Sequence, residues 1–201
     1  MISRLIARTL EVPLVYRVLQ APFQERKIAP CLAQLSLTPQ TRLLDVGCGP
    51  GTNAHHFAST QYTGIDVNPD YIQSARRRHA GRFVTGDVTN PDMLPQEQFD
   101  VILLNSLMHH LPDEAVGLLL SQLDLRLAPG GRIHILDLIL PPGASTARLL
   151  ARIDRGKFAR SLDSWRALFA QSLRIEQLVT FPLGLPGLPL WQMVYCIAGA
   201  E

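Results

Sequence analysis

With 201 residues the chain is long enough for one domain with a sizeable core and too short for two full ones. Hydrophobic residues make up 47% and charged residues 18%, the balance of an ordinary globular interior. A net charge of +2 is too small to draw nucleic acid or a membrane surface by itself, so neither is expected as a partner.

The first segment, "MISRLIARTLEVPLVYRVLQAPF", has Arg4, Arg8 and Glu11 among its apolar residues and so lacks the unbroken hydrophobic run of a secretory signal. No stretch approaches the roughly 20 apolar residues that span a bilayer, and stable membrane insertion is not expected. Residues 2–37 read as helical, with Ile2, Leu5, Ile6 and Leu10 near one face and Pro13 as a break. From residue 41 short apolar strands alternate with helical patterns. Strands are expected at 42–47, 62–67, 82–87, 99–105 and 132–138, and helices at 52–59, 69–79 and 112–127. That alternation implies an α/β fold with a parallel, doubly wound sheet and right-handed crossovers. Ser161 is placed to cap a helix over 162–172. Two last strands, 174–182 and 192–199, have no helix between them and suggest an antiparallel hairpin. The joining "LGLPGLPLW" is too long for a two-residue turn. It leaves open a covered hydrophobic pocket or a homodimer contact. One domain is expected, with a helical lid over 1–40, a core over 41–140 and a substrate-side helix and hairpin over 141–201.

Cys31, Cys48 and Cys196 are odd in number, far apart and without a CxxC pair, which points to a reducing, cytoplasmic setting. His55-His56 and His109-His110 are adjacent pairs rather than i, i+4 pairs. Neighbouring rings on a helix point apart, so no metal site is expected.

The first strand runs into "DVGCGPG", with glycines at 47, 49 and 51, where open α/β sheets bind ligands. A dinucleotide loop would read GxGxxG; this one reads GxGxG, and Pro50 removes an N–H donor. Asp45 precedes the first glycine and suits a cationic amine better than a pyrophosphate. Asp66 ends the second strand, placed to accept from both hydroxyls of a ribose. Asp87 ends the third in "TGDV" and suits an adenine amine. Three successive strands thus each deliver an acid near their C-terminal ends. The ligand inferred offers hydroxyls and amines and little negative charge.

Five elements in order, "LLDVGCGPG", "YTGIDVNPD", "RFVTGDV", "FDVILLNSLMHHLPD" and "LAPGGRIHILD", resemble the class I S-adenosylmethionine-dependent methyltransferases over about residues 41–140. The resemblance implies a Rossmann-like fold, S-adenosyl-L-methionine as cofactor and a small-molecule methyl acceptor, methylated on O, N or C. It implies that Gly47, Cys48, Gly49 and Gly51 line the methionine part of the cofactor and that Asp45 takes its amino group. By the same resemblance Asp66 and Val67 hold the ribose side, Asp87 and Val88 the adenine side, and Asn105 the amino-acid end.

Displacement at a sulfonium needs alignment more than acid catalysis, and a base helps only with acidic acceptors. His110, with His109 beside it, follows the fourth strand and is the candidate base. His55 and His56 read as helix-face residues, and Asn53 as a helix cap or a cofactor contact. The basic run Arg148, Arg152, Arg155, Lys157, Arg160 reads as a solvated face or as a cradle for an anionic acceptor. Tyr16, Phe23, Phe158 and Trp165 read as packing or as an aromatic acceptor pocket. Two other functions stay open: a cofactor-binding accessory subunit without catalysis, and a nicotinamide oxidoreductase.

Overall fold

A computed structural model of the chain describes residues 23–153 and 156–199. Residues 1–22 of the lid expected over 1–40, with Tyr16, and Arg155 of the basic run lie outside the described residues. Of the N-terminal region, helix α1 (Gln24–Leu32) is described; α2 (Pro69–Arg78), α3 (Asp113–Asp124), α4 (Thr146–Ile153) and α5 (Leu162–Phe169) follow. The sheet is built from β1 (Arg42–Val46), β2 (Gln61–Asp66), β3 (Arg82–Thr85), β4 (Phe99–Asn105), β5 (Leu127–Ile139), β6 (Arg174–Leu185) and β7 (Leu188–Gly199). The strand order is β3-β2-β1-β4-β5-β7-β6. β1 to β5 pair in parallel, and β7 runs antiparallel to both β5 and β6. The chain order reverses between β1 and β4, and the crevice that ligands use in such sheets lies at the C-terminal ends of those two strands.

The central strands are apolar on both faces because helices cover both. Leu44, Val46, Ile102, Leu104, Ile133 and Ile135 point to one side. There they meet α3 (Asp113–Asp124) and α5 (Leu162–Phe169) through Leu119, Leu123, Trp165 and Phe169. The alternating Leu43, Val101, Leu103 and Leu136 point to the other side and pack with Ile28 of α1 and Ile72 of α2 (Pro69–Arg78). α2 starts where Asn68 caps the Asp70 and Tyr71 amides, with Pro69 in its first turn. Ser161 caps α5 by accepting from Ser164 N, as the sequence implies, although the helix ends at Phe169.

Three expectations are corrected. The helix after the glycine loop is a single 3-10 turn, Ala54–Phe57, anchored by buried Ala54 and Phe57. Leu127–Gly131, expected to lie outside the sheet, belongs to β5, which pairs Phe99 with Leu127 and then shifts register to pair Val101 with Arg132. The final hairpin is tight: β6 and β7 continue through the Gly/Pro-rich stretch to Leu185↔Leu188, leaving Pro186-Gly187 as a two-residue turn. Gly187 supplies the positive φ, 76°, that such a turn requires, and a register shift at Leu183/Gly184 absorbs the irregular residues.

Candidate functional site

The glycine loop connects β1 to the 3-10 turn, and its polar groups are almost wholly engaged by the protein itself. Gly47 N and Cys48 N both donate to Ile65 O, at 2.8 and 3.0 Å. Gly49 N donates to Asp66 Oδ2 at 2.9 Å, and Gly51 N to Cys48 O at 3.1 Å. Pro50 has no amide hydrogen, so residues 47–51 leave no backbone donor for a pyrophosphate. Gly47, Gly49 and Gly51 all have positive φ, at 74°, 55° and 78°. A Cβ on Gly49 would meet nothing within 4 Å, whereas one on Gly47 would lie 2.9 Å from Leu107. The face at Gly49 is therefore an open cradle that a side chain would fill.

The three acids at the ends of β1, β2 and β3 stand in three different states, and Asp66 alone bonds the loop at Gly49. Asp45 is 1% exposed and accepts from Tyr62 Oη at 2.8 Å. Burial pushes its pKa up to about 7; the Tyr62 bond opposes the rise, and the nearby Asp66 charge adds to it. Asp66, half-buried, accepts from Gly49 N through Oδ2 and from Asn68 N through Oδ1, at 2.9 Å each. Each oxygen keeps a second lone pair for a hydroxyl donor. Val67 beside it is 65% exposed, apolar surface at the lip of the site. Asp87 is exposed and accepts on Oδ1 from Thr89 N and Thr89 Oγ1, at 2.9 and 2.7 Å. Those bonds hold its carboxyl below the usual range. Val88 is buried in the core, and Cys48 is a buried thiol whose pKa burial drives up. The thiol fills the space against Gly64, where a Cβ would approach Cys48 Sγ to 2.8 Å.

Asn105 ends β4, half-buried, beside Ser106, whose φ of 57° is the one positive value at a non-glycine residue among those described. Sequence reasoning missed two residues, one at this edge and one beside Asp87. Lys27 of α1 is 7% exposed and donates to Ser106 Oγ at 3.0 Å. Met93 is half-exposed with its Cβ against Gly86, and its sulfur accepts from Asp87 N at 3.2 Å. A lysine on an N-terminal helix carries no local signal for a site on β4.

The two histidines after β4 separate. His110 is exposed. His109 is buried, with Nδ1 2.6 Å from Asp137 Oδ1. Asp137 also accepts from Met108 N at 2.9 Å and Leu138 N at 2.6 Å, tying the β4–α3 loop to β5. Arg160 is buried and donates to the carbonyls of Met108, Leu111 and Phe158 and to Asp113 Oδ1. Its guanidinium also lies 4.6 Å from the Trp165 ring centroid. Arg160 thus leaves the solvent-exposed basic set and acts as an internal strut. Trp165 and Phe169 stack in the core, and Trp165 Nε1 donates to Leu138 O, so Trp165 serves packing. Phe23 lies edge-on to Trp191, and Phe158 lies beside the Arg160 guanidinium.

His55 and His56 overturn the expectation that neighbouring rings point apart. Their ring centroids are 3.9 Å apart, and both Nε2 atoms approach Glu25 of α1.

A family profile described as "Methyltransferase domain" matches residues 43–131, the span that contains the loop, the three acids and β4. Residues 43–131, under half of the chain, are thus similar to a methyltransferase domain. The chain is 33% identical over 115 residues to a trans-aconitate 2-methyltransferase of Methylobacterium nodulans, covering 55% of this chain and 43% of that protein. It is 28% identical over 136 residues to a ribosomal protein L11 methyltransferase of Burkholderia ambifaria, covering 66% and 44%. The chain thus spans less than half the length of these curated relatives. Among solved structures, a magnesium protoporphyrin IX methyltransferase from Synechocystis PCC 6803 with bound SAH superposes with a TM-score of 0.71 at 15% identity, covering 94% of this chain and 89% of that one. At that identity the likeness is one of fold. The residues here fit S-adenosyl-L-methionine: the Gly49 face is open, each Asp66 oxygen keeps a lone pair beyond its backbone bond, and Val67 adds exposed apolar surface. Among the described residues no helix is long and apolar enough to cross a membrane.

Proposed function

We propose that the protein transfers a methyl group from S-adenosyl-L-methionine to a small-molecule acceptor. The observation that carries this reading is the glycine loop whose amides are spent internally while the Gly49 face stays open. Such a loop suits a cofactor held by packing and by acids, and it lacks the donors a dinucleotide requires. When bound, the cofactor supplies an electrophilic methyl group on a sulfonium. Asp66 would accept from the ribose hydroxyls and Asp45 from the amino group. Val67 and Met93 would cover the adenine, with Asp87 at its edge and Val88 beneath. Asn105 would meet the amino-acid end.

The residues after β4 would hold the acceptor side. His110, exposed in the loop after β4, would take a proton from an alcohol or phenol acceptor. His109, held by Asp137, positions that loop. Lys27 places positive charge beside Asn105, which suits an acceptor carrying a carboxylate or phosphate. The name of the 33% identical relative points the same way. A protein acceptor is the second reading, favoured by the ribosomal protein L11 methyltransferase match.

Two measurements test the proposal. Melting shifts with S-adenosylmethionine, S-adenosylhomocysteine and NAD should be positive for the first two and absent for NAD; the reverse pattern refutes the cofactor assignment. Label transfer from methyl-labelled cofactor should appear on organic acids or phenols in a small-molecule panel. Label on ribosomal protein alone would replace the acceptor class. Firm cofactor binding with no transfer to either would favour a non-catalytic subunit.

A further inference from the structure

We infer that Glu25, His55 and His56 form a binding site for one divalent transition ion of the zinc class, joining α1 to the turn that follows the glycine loop. Among the described residues this is the one group of three His, Cys, Asp or Glu side chains whose ligand atoms converge, all lying within 4.8 Å of one another. His55 Nε2 is 3.5 Å from Glu25 Oε1, and His56 Nε2 is 3.4 Å from Glu25 Oε2. Ligands at zinc bond lengths of roughly 2.0–2.2 Å sit about 3.3–3.5 Å apart along a tetrahedral edge. The two nitrogen–oxygen separations match that spacing, each to a different oxygen of Glu25, and the remaining ligand atoms lie within 4.8 Å.

The tautomer of His55 is set for coordination. Its Nδ1 lies 3.1 Å from Thr52 O, and a carbonyl can only accept, so Nδ1 carries the hydrogen. With Nδ1 engaged by that carbonyl, Nε2 is the nitrogen that faces Glu25, the outer-sphere arrangement that orients metal-binding imidazoles. Either a ring proton or a metal ion between nitrogen and carboxylate satisfies this approach, and two imidazoles converging on one carboxylate suit the metal. Imidazole and carboxylate together favour a borderline ion over calcium or magnesium, which prefer all-oxygen ligands. Two nitrogens and one carboxylate leave a fourth position for water, and the exposed face of the cluster lets water reach it.

The backbone holds the three side chains from beneath. His56 N donates to Asn53 O and Ala54 N to Gly51 O, fixing the 3-10 turn, while Phe57 is fully buried under it. On α1, Ile28 and Cys31 are fully buried, which keeps Glu25 directed at the turn. A bound ion would clamp α1, which carries Lys27, to the segment directly after Gly51. Its effect would be on the order of the cofactor loop and not on the methyl-transfer chemistry.

The test uses the full chain stripped of metal by a chelator, then titrated calorimetrically with Zn²⁺ and, in parallel, by absorbance with Co²⁺. The expected result is one equivalent of Zn²⁺, with Co²⁺ bands in the visible and no thiolate charge-transfer band. Glu25→Gln and His55→Ala should each weaken Zn²⁺ binding by roughly tenfold or more. Both side chains are exposed, so the variants should fold, and circular dichroism checks this. No stoichiometric Zn²⁺ binding at micromolar concentration overturns the site, as does equal affinity in wild type and both variants. An imidazolium–carboxylate pair alone would give a Glu25→Gln melting loss with no response to Zn²⁺, and that also overturns it. S-adenosylhomocysteine binding is scored separately, so failure here leaves the methyltransferase reading untouched.

Discussion

Asp45→Asn should stabilise the ligand-free protein above neutral pH while weakening its hold on the cofactor. Burial raises the Asp45 pKa from 3.8 to about 7. Between those values the folded state holds a proton that the unfolded chain has released, so stability falls as pH rises and levels off above about 7. A rise of that size corresponds to roughly 4 kcal/mol over the whole window. From pH 5 to pH 8 the wild type crosses about two-thirds of the window and should lose roughly 3 kcal/mol through this residue. Asparagine keeps an oxygen to accept from Tyr62 Oη but carries no charge, so the variant should not show that loss. At a few degrees per kcal/mol in a chain of this size, the variant should gain about 6–10 °C relative to wild type on going from pH 5 to pH 8. Differential scanning calorimetry at the two pH values reads this directly. Saturating S-adenosylhomocysteine should reverse the ranking at pH 8, because a cationic amine stabilises the ionised carboxylate and gains nothing from the amide. Parallel pH profiles for the two proteins would refute the buried-charge argument. An equal ligand-induced shift in both would refute the amine contact.

The other predictions concern residues with distinct loads. Asp66→Ala should weaken S-adenosylhomocysteine binding by about 1–3 kcal/mol through loss of charge-assisted hydroxyl bonds, and an unchanged calorimetric titration would remove Asp66 from the ribose side. Gly49→Ala forces a side chain into positive φ at a cost of about 1 kcal/mol and fills the open cradle, so ligand affinity should fall by more than thermal stability does. Arg160→Ala should destabilise by about 3 kcal/mol because buried carbonyls lose their donor, and Arg160→Lys should recover only part of it because one ammonium cannot replace the planar fork; full recovery in chemical denaturation would contradict the strut. Buried His134, beside Tyr195 Oη, has its pKa lowered to about 4 by burial and then by Arg132. It should contribute stability that is lost as pH falls from about 6.5 to 4, since only the unfolded chain takes up the proton there, and His134→Gln should flatten that acid limb in a pH-resolved melt.

What is legible in the sequence is what depends on neighbours along the chain. Apolar runs ended by Asp45, Asp66 and Asn105 mark strands β1, β2 and β4, and the glycine spacing marks the loop between β1 and the next turn. Pro50 can be read as a lost donor without a structure. That the other four positions also withhold their amides cannot, because two of those bonds reach Ile65 across a strand pairing and a third reaches Asp66. The hairpin departs from its sequence expectation for a related reason. Gly and Pro density normally ends a strand, but here the register shift at Leu183/Gly184 and the buried Leu183 and Trp191 keep the ladder going to a two-residue turn.

Residues whose meaning is set by a distant partner carry no such local signal. Arg160 looks in sequence like one of several solvated cations, yet its place in a parallel bridge to Ile139 puts the guanidinium among the carbonyls of the β4–α3 loop. Of two adjacent histidines, the same loop buries His109 on Asp137 and leaves His110 outside, and an alternation of one residue cannot be read without knowing where β5 lies. Lys27 and Glu25 stand two positions apart on α1 and reach the elements on either side of the glycine loop in the site: Lys27 meets Ser106 at the end of β4, and Glu25 meets the histidines after Gly51. A helix that touches both flanks of the loop makes the order of the site depend on how firmly it is seated. Substitutions that loosen α1, such as Ile28→Ala at its buried contact, should therefore weaken cofactor binding although Ile28 lies in the core. If Ile28→Ala lowers the melting temperature and leaves S-adenosylhomocysteine affinity intact, α1 is packing alone and its two polar contacts do not govern the site.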